Sequence, residues 1–203
     1  AGTAKALPTN AGASVLGAGA ANVLSASSKH VVLADGALDL HGFAQTVLGL
    51  DNAGIVSLPS NTPALLAPTT VMSTTNDYTS NGGLLVLSTQ LGPDGSPSDQ
   101  LVVGGNVVLN TPTRIDVQNI AGVGAPAPNG ILLVTVAGAS PAGAFTLAHP
   151  VADNGVNYRL EQVGKNWYLR TVLAPTIITA TPGNNQGVLT IAPPTNLATG
   201  VTV

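Results

Sequence analysis

Gly36-Ala37-Leu38-Asp39-Leu40, Gly54-Ile55-Val56-Ser57-Leu58 and Gly83-Leu84-Leu85-Val86-Leu87 are one phrase repeated, and a looser form follows at Gly130-Ile131-Leu132-Leu133-Val134. Each opens on glycine and runs into a short apolar stretch. In the first three, the third and fifth places are Leu or Val. A strand sends alternate side chains to opposite faces, so these two places share a face. The final leucines, Leu40, Leu58 and Leu87, lie 18 and then 29 residues apart. Similar rungs at uneven spacing fit a β-solenoid with variable loops on one side. A sandwich also yields short strands and turns, so the phrase favours a solenoid without settling it alone.

The rest of the chain agrees on β structure. Glu161 is the only glutamate and lysine is nearly as rare, which removes the good polar helix formers. Val, Thr, Ile and Leu stand instead between Gly, Asn, Pro and Asp, the signature of many short strands joined by turns. Strands are expected near 31–33, 37–40, 45–48, 54–58, 84–88, 101–103, 107–109, 113–117, 131–136, 144–147, 156–162, 166–172, 176–181 and 187–191. Residues 1–28, rich in Ala, Gly and Ser, read as a weakly patterned arm or a partial first rung. With 203 residues, 44% of them hydrophobic, the chain suits one domain, or one and the start of another. No stretch reaches the ~18 apolar residues of a membrane helix. The start, Ala1-Gly2-Thr3-Ala4-Lys5, has neither part of a signal peptide, so a leader already removed or an internal fragment is expected.

Charge and reactive residues narrow the function. Only 7% of residues are charged and the net charge is −3. The six bases, Lys5, Lys29, Arg114, Arg159, Lys165 and Arg170, are scattered, so nucleic acid is not an expected partner. The absence of cysteine removes thiol chemistry and disulfides. His30, His41 and His149 are far apart, no Gly-x-Ser-x-Gly elbow occurs, and Asp94-Gly95-Ser96 reads as a turn. No two histidines lie within four residues of each other. Asp35 and Asp39 are read as facing solvent or bonding a turn, not as metal ligands. Gly104-Gly105-Asn106 is a turn, with no helix after it to cradle phosphate. No catalytic residue, metal or cofactor is therefore expected, and the chain reads as no enzyme.

Punctuation is densest between residues 81 and 171. Asn81-Gly82-Gly83 supplies positive φ before a strand. Gly92-Pro93-Asp94-Gly95-Ser96-Pro97-Ser98-Asp99 and Ala125-Pro126-Ala127-Pro128-Asn129-Gly130 are long turns. Asp153-Asn154-Gly155 is a hairpin signal. Gly164-Lys165-Asn166 joins Tyr158-Arg159-Leu160-Glu161 to Trp167-Tyr168-Leu169-Arg170, a segment with two of the three tyrosines and the only tryptophan. Aromatic rings bury more area than Ala or Val, so this hairpin reads as the cap of a weakly hydrophobic stack.

Five blocks in this order resemble the C-terminal part of the passenger of Gram-negative autotransporters, the autochaperone or pertactin-like region. They are Asn81-Gly82-Gly83-Leu84, Ser96-Pro97-Ser98-Asp99-Gln100-Leu101-Val102-Val103, Asn129-Gly130-Ile131-Leu132-Leu133-Val134, Phe145-Thr146-Leu147 and Asn166-Trp167-Tyr168-Leu169-Arg170. Residues 36–80 look like the rungs before that region, with Leu38-Asp39-Leu40-His41-Gly42-Phe43 a rung phrase. The resemblance implies an all-β, right-handed parallel β-helix closed by a C-terminal β-sandwich-like cap. It implies rungs over 29–80 and an autochaperone and capping region over 81–171. It also implies a Gram-negative cell-surface or secreted protein, and a passenger fragment that is folding nucleus and cap of a β-helical virulence or adhesion protein.

The expected nucleus residues are Trp167, Tyr168, Leu169, Phe145, Leu147, Tyr158, Leu101, Val103, Ile131 and Leu133. The implied partners are the upstream β-helix of the same passenger and its own outer-membrane barrel, which does not follow here. Residues 174–203 depart from the family's linker and resemble the opening strands of a fibronectin type III-like module. The alternative reading is an adhesin that binds host surface proteins through β-helix loops such as Leu58-Pro59-Ser60-Asn61-Thr62-Pro63-Ala64-Leu65-Leu66-Ala67-Pro68.

Overall fold

The computed structural model describes residues 14–59 and 68–171, and every regular element there is a strand. In chain order these are β1 (Ser14–Gly17), β2 (Lys29–Val32), β3 (Gly36–Asp39), β4 (Gln45–Val47), β5 (Gly49–Asn52), β6 (Ile55–Ser57), β7 (Val71–Thr74), β8 (Tyr78–Asn81) and β9 (Leu84–Thr89). There follow β10 (Gln100–Val103), β11 (Val107–Thr111), β12 (Thr113–Asn119), β13 (Ile131–Val136), β14 (Phe145–Leu147), β15 (Val151–Asp153), β16 (Val156–Val163) and β17 (Asn166–Thr171).

The strands form three sheets. The chain visits them in rotation: β2, β3 and β4 lie one in each, and β5–β6–β7, β8–β9–β10 and β11–β12–β13 repeat the circuit. Each strand pairs in parallel with its counterpart one circuit on. This is a parallel β-solenoid, and no rung is self-sufficient: each buries its inner face only by stacking.

The repeated phrase is one sheet seen edge-on. Leu38 pairs Val56 and Val56 pairs Leu85. Leu85 pairs Ile115, and Ile115 pairs Leu147. Leu38, Leu40, Val56, Leu58, Leu85 and Leu87 are all buried. The glycine that opens the phrase has a steric reason. A Cβ on Gly54 would sit 2.1 Å from the Leu33 carbonyl oxygen, and one on Gly83 2.4 Å from Asn52 Oδ1. At these corners each turn is pressed against the one before it.

The looser fourth phrase belongs to another sheet. It opens β13, which lies between β10 and β17. A register irregularity against β17 falls between Leu132 and Val134, and Ile131, Leu133 and Val134 are all buried. A bulge places two consecutive side chains inward, which breaks the alternation.

Several strands lie outside the expected ranges: β1, β5, β7, β8 and β15. The first lies within the expected arm, where Ser14–Gly17 pairs β3 as part of a turn. β5, β7 and β8 carry buried polar residues, Asn52, Thr74 and Ser80, where the pattern asks for an apolar side chain, and β15 is a three-residue strand beside the expected hairpin turn. The expected strands at 176–181 and 187–191, the fibronectin-like stretch and residues 60–67 of the long loop lie outside the described residues.

At the C-terminal end the parallel pattern stops. β17 pairs β13 antiparallel, β16 pairs β17 and β15 pairs β16. Opposite this meander, β14 closes the sheet that contains the repeated phrase.

Candidate functional site

A column of three rings runs from the meander into the rungs. Trp167 on β17 meets Phe145 on β14 edge-on, with centroids 5.4 Å apart and planes at 68°. Phe145 stacks on Tyr78 of β8 at 5.8 Å and 23°. Such pairs add about 0.5–1.5 kcal/mol beyond the area they bury. The indole Nε1 donates to Ser140 Oγ at 2.9 Å, so the one polar atom of Trp167 is satisfied.

Tyr78 ends the column in a buried chain of hydroxyls. Its oxygen accepts from Asn52 Nδ2 at 3.1 Å and lies 2.9 Å from Thr113 Oγ1. Thr113 Oγ1 lies 2.8 Å from Ser80 Oγ, and Ser80 donates to the Thr111 carbonyl at 2.7 Å. Because Ser80 spends its proton on that carbonyl, it accepts from Thr113, and Thr113 in turn accepts from Tyr78. The proton order is thereby fixed from Asn52 to Thr111, across β5, β8, β12 and β11. Burial pushes the Tyr78 hydroxyl from 10.0 up to about 12, although its bonds with Thr113 and Asn52 pull the other way.

Two turns are pinned to the meander. Tyr158 donates its hydroxyl to the Ala125 carbonyl at 2.6 Å and accepts from the Ala125 N–H at 3.0 Å. Ala127 and Thr171 exchange a pair of bonds, at 2.8 Å to Thr171 Oγ1 and 3.0 Å to the Ala127 carbonyl. Arg170 donates from Nε to the Pro128 carbonyl at 2.6 Å and from Nη1 to Glu161 Oε2 at 2.9 Å. Arg159 pairs with the other oxygen of Glu161.

Asp94 closes the second turn over the first. It accepts from the N–H groups of Asn129 and Gly130, both at 2.8 Å, and from Asn129 Nδ2 at 2.7 Å. What little desolvation this exposed carboxyl suffers raises its pKa. The bonds from Gly130 and Asn129, with Arg170 nearby, outweigh that and hold the carboxyl below 3.8. Asp99 is the opposite case. It accepts from the Thr70 and Ser88 N–H groups at 2.8 and 2.9 Å. Burial nonetheless dominates, and its carboxyl is pushed up.

Of the residues expected to form the nucleus, Trp167, Leu169, Phe145, Tyr158, Leu101, Val103, Ile131 and Leu133 are buried. Leu147 and Tyr168 are half-buried. Sequence reasoning missed Tyr78, Asn52, Thr113 and Ser80. The signal present was an aromatic inside a polar run, Asn76-Asp77-Tyr78-Thr79-Ser80-Asn81, and that run reads as a loop.

The candidate reactive residues are dispersed. His41 occupies a left-handed turn, φ 49, with Nε2 3.0 Å from Asp39 Oδ2, while Asp39 Oδ1 accepts from the His41 N–H. Asp39 therefore bonds a turn. Among the described residues no group of three or more His, Cys, Asp or Glu is placed to hold a metal ion.

A parallel solenoid followed by an aromatic, antiparallel meander defines the class by its architecture: a β-helical protein. Residues 46–160 match the family model described as Autochaperone Domain Type 1, and the chain belongs to that family. It is 33% identical over 141 residues to the adhesin BmaC autotransporter of Brucella suis, covering 63% of this chain and 4% of that protein. It is 37% identical over 107 residues to the probable autotransporter YfaL of Escherichia coli K12, covering 49% and 8%. The uncharacterized protein YdeU of the same strain is 40% identical over 107 residues, covering 50% and 22%. The chain thus spans well under a third of the length of these relatives. It is an autotransporter passenger region, of a class secreted across the outer membrane to the cell surface.

Proposed function

We propose that residues 81–171 are the folding nucleus and C-terminal seal of a longer β-helix. The observation that carries this is the Trp167–Phe145–Tyr78 column, which joins the meander to a rung of the solenoid through buried rings. The meander is stabilised by local antiparallel pairing, whereas each parallel rung must first close a loop of about 20–30 residues, an entropic cost that precedes its contacts. A segment that forms first lowers that cost for the rung stacked on it.

The opposite end supports an upstream partner. β1, β2 and β4 are the outermost strands of their sheets there. Val15, Leu16, Val31 and Leu33 are exposed beside them. An exposed strand edge invites another strand, and an upstream turn of the same passenger satisfies it. In this reading the chain's role is structural rather than enzymatic, its own outer-membrane barrel is a further partner, and the passenger stays at the surface through that barrel. An adhesin role toward host surface proteins is the second reading, favoured by the Brucella relative's being named an adhesin.

The test is the refolding yield of a longer passenger with residues 81–171 present, deleted or added in trans. Rescue by the added segment supports the nucleus. Equal yield without it reduces the region to a passive end and moves adhesion to the front, to be checked by binding to immobilised host matrix proteins.

A further inference from the structure

The chain contains three Asn-Gly pairs, Asn81-Gly82, Asn129-Gly130 and Asn154-Gly155. In such a pair the glycine nitrogen attacks the asparagine side-chain carbon with little steric opposition, because glycine has no Cβ. A new C–N bond closes a five-membered succinimide as the amide C–N bond breaks and ammonia leaves. One water then opens the ring at either carbonyl, giving aspartate or isoaspartate. The balance is one water consumed and one ammonia released, with no oxidant or second substrate. Asparagine is a thermolabile residue for this reason.

The three pairs differ in how their reacting groups are held. The Gly82 N–H donates to the Thr111 carbonyl at 3.0 Å, and Asn81 Oδ1 accepts from Asn110 at 2.8 Å. The Gly130 N–H and the Asn129 amide both donate to Asp94, at 2.8 and 2.7 Å. Among the described residues neither the Gly155 N–H nor the Asn154 side chain makes a hydrogen bond, and both residues are exposed. Asn154 and Gly155, at φ 47 and 76, form the two-residue turn between β15 and β16. Ring closure needs that turn to open. It sits on the outermost hairpin of its sheet, where local opening costs least.

We propose that Asn154 is a modification site of the cap, converting through a succinimide to aspartate and isoaspartate while Asn81 and Asn129 persist. Isoaspartate adds a backbone methylene to a turn that has room for two residues, so it breaks the Asp153–Val156 pairing. It also sets a carboxylate beside Asp153, whose Oδ2 accepts from Asn119 at 3.1 Å. The net charge moves from −3 to −4, one acid being added. The structural consequence is confined to β15, the edge strand that carries buried Val151.

The test is incubation of the whole chain at mildly alkaline pH, followed by peptide mapping with enzymatic isoaspartate labelling. In the folded chain the Asn154 peptide is expected to convert roughly tenfold faster than the Asn81 and Asn129 peptides, and in urea the three are expected to converge. The variant Asn154→Gly, which keeps the positive φ without strain, should abolish the new acidic species on ion exchange. The proposal is overturned if Asn81 or Asn129 converts as fast as Asn154 in the folded chain, if no pair converts there, or if the acidic species survives in Asn154→Gly.

Discussion

Tyr78→Phe separates the ring of the central aromatic from its hydroxyl. The ring stays against Phe145, so the packing is preserved. What is lost is the link between Asn52 Nδ2 and Thr113 Oγ1. Asn52 keeps a longer bond to the Leu84 carbonyl at 3.4 Å, and Thr113 keeps Ser80. Two buried bonds go and two partners stay partly served, so the cost near neutral pH is about 1–3 kcal/mol.

The same hydroxyl makes a second, opposite demand. Its pKa rises from 10.0 to about 12 on folding, so the folded state holds this proton more tightly than the unfolded state does. The sign follows directly: stability is unaffected below pH 10 and falls as the pH climbs toward 12. Integrated to pH 11.5, the loss is about 2 kcal/mol. Phenylalanine has no proton to lose. The parent should therefore lead the variant by about 1–3 kcal/mol at pH 8, and the lead should shrink by about 2 kcal/mol by pH 11.5. Every other titrating group is common to both chains and cancels. The assay is urea unfolding of both proteins at steps from pH 8 to 11.5. A constant gap across that range would refute the buried, ionisation-resistant hydroxyl, and no gap at pH 8 would refute the network.

Trp167→Ala removes the upper ring of the column and leaves Ser140 without its donor; a loss of about 3–5 kcal/mol is expected, and a melting temperature within a degree of the parent would contradict it. Gly54→Ala must move the Leu33 carbonyl and should cost about 1–3 kcal/mol or prevent folding, whereas Gly19→Ala, with nothing within 4 Å, should be neutral in the same denaturation assay. Asp94→Ala should destabilise at neutral pH. Because the Asp94 pKa is lowered on folding, its contribution is present above 3.8 and disappears as the pH falls through the folded value. Parent and variant should then converge in acid urea titrations. Asp99 carries the reverse linkage: its raised pKa makes stability greatest below 3.8 and declining as the pH rises through the folded value, and carboxyl NMR titration should find it above the ordinary range.

What could be read from residues alone follows the range over which each interaction acts. The inward Leu and Val of the repeated phrase were legible because the strand period is two and needs no knowledge of any other strand. Gly54 and Gly83 were visible as punctuation. Their cause was not, since it is a carbonyl or side chain of the preceding turn. The turn at Asn154-Gly155 was legible for the same local reason. Asp94 and Asn129 could each be assigned to a turn, but 35 residues separate them, and no local pattern pairs them.

The rule that failed was that inward means apolar. Asn52, Thr74 and Ser80 point into the molecule, so β5, β7 and β8 showed no clean alternation. A narrow solenoid explains why such residues are affordable there. Asn52 and Ser80 pair in register on adjacent turns, and the acceptor of the Asn52 amide nitrogen and the partners of the Ser80 hydroxyl each arrive with the next rung. From there the chain of donors passes to Thr113 and returns to the backbone at Thr111. A buried polar group costs free energy only while unpaired. In a stacked fold it is unpaired until its neighbour docks, so these positions favour the correct register over a slipped one. An apolar ladder would tolerate slippage by comparison. Asn52 and Ser80, two of the polar residues that obscured strands in the sequence, are thus ones that discriminate between registers as rungs stack.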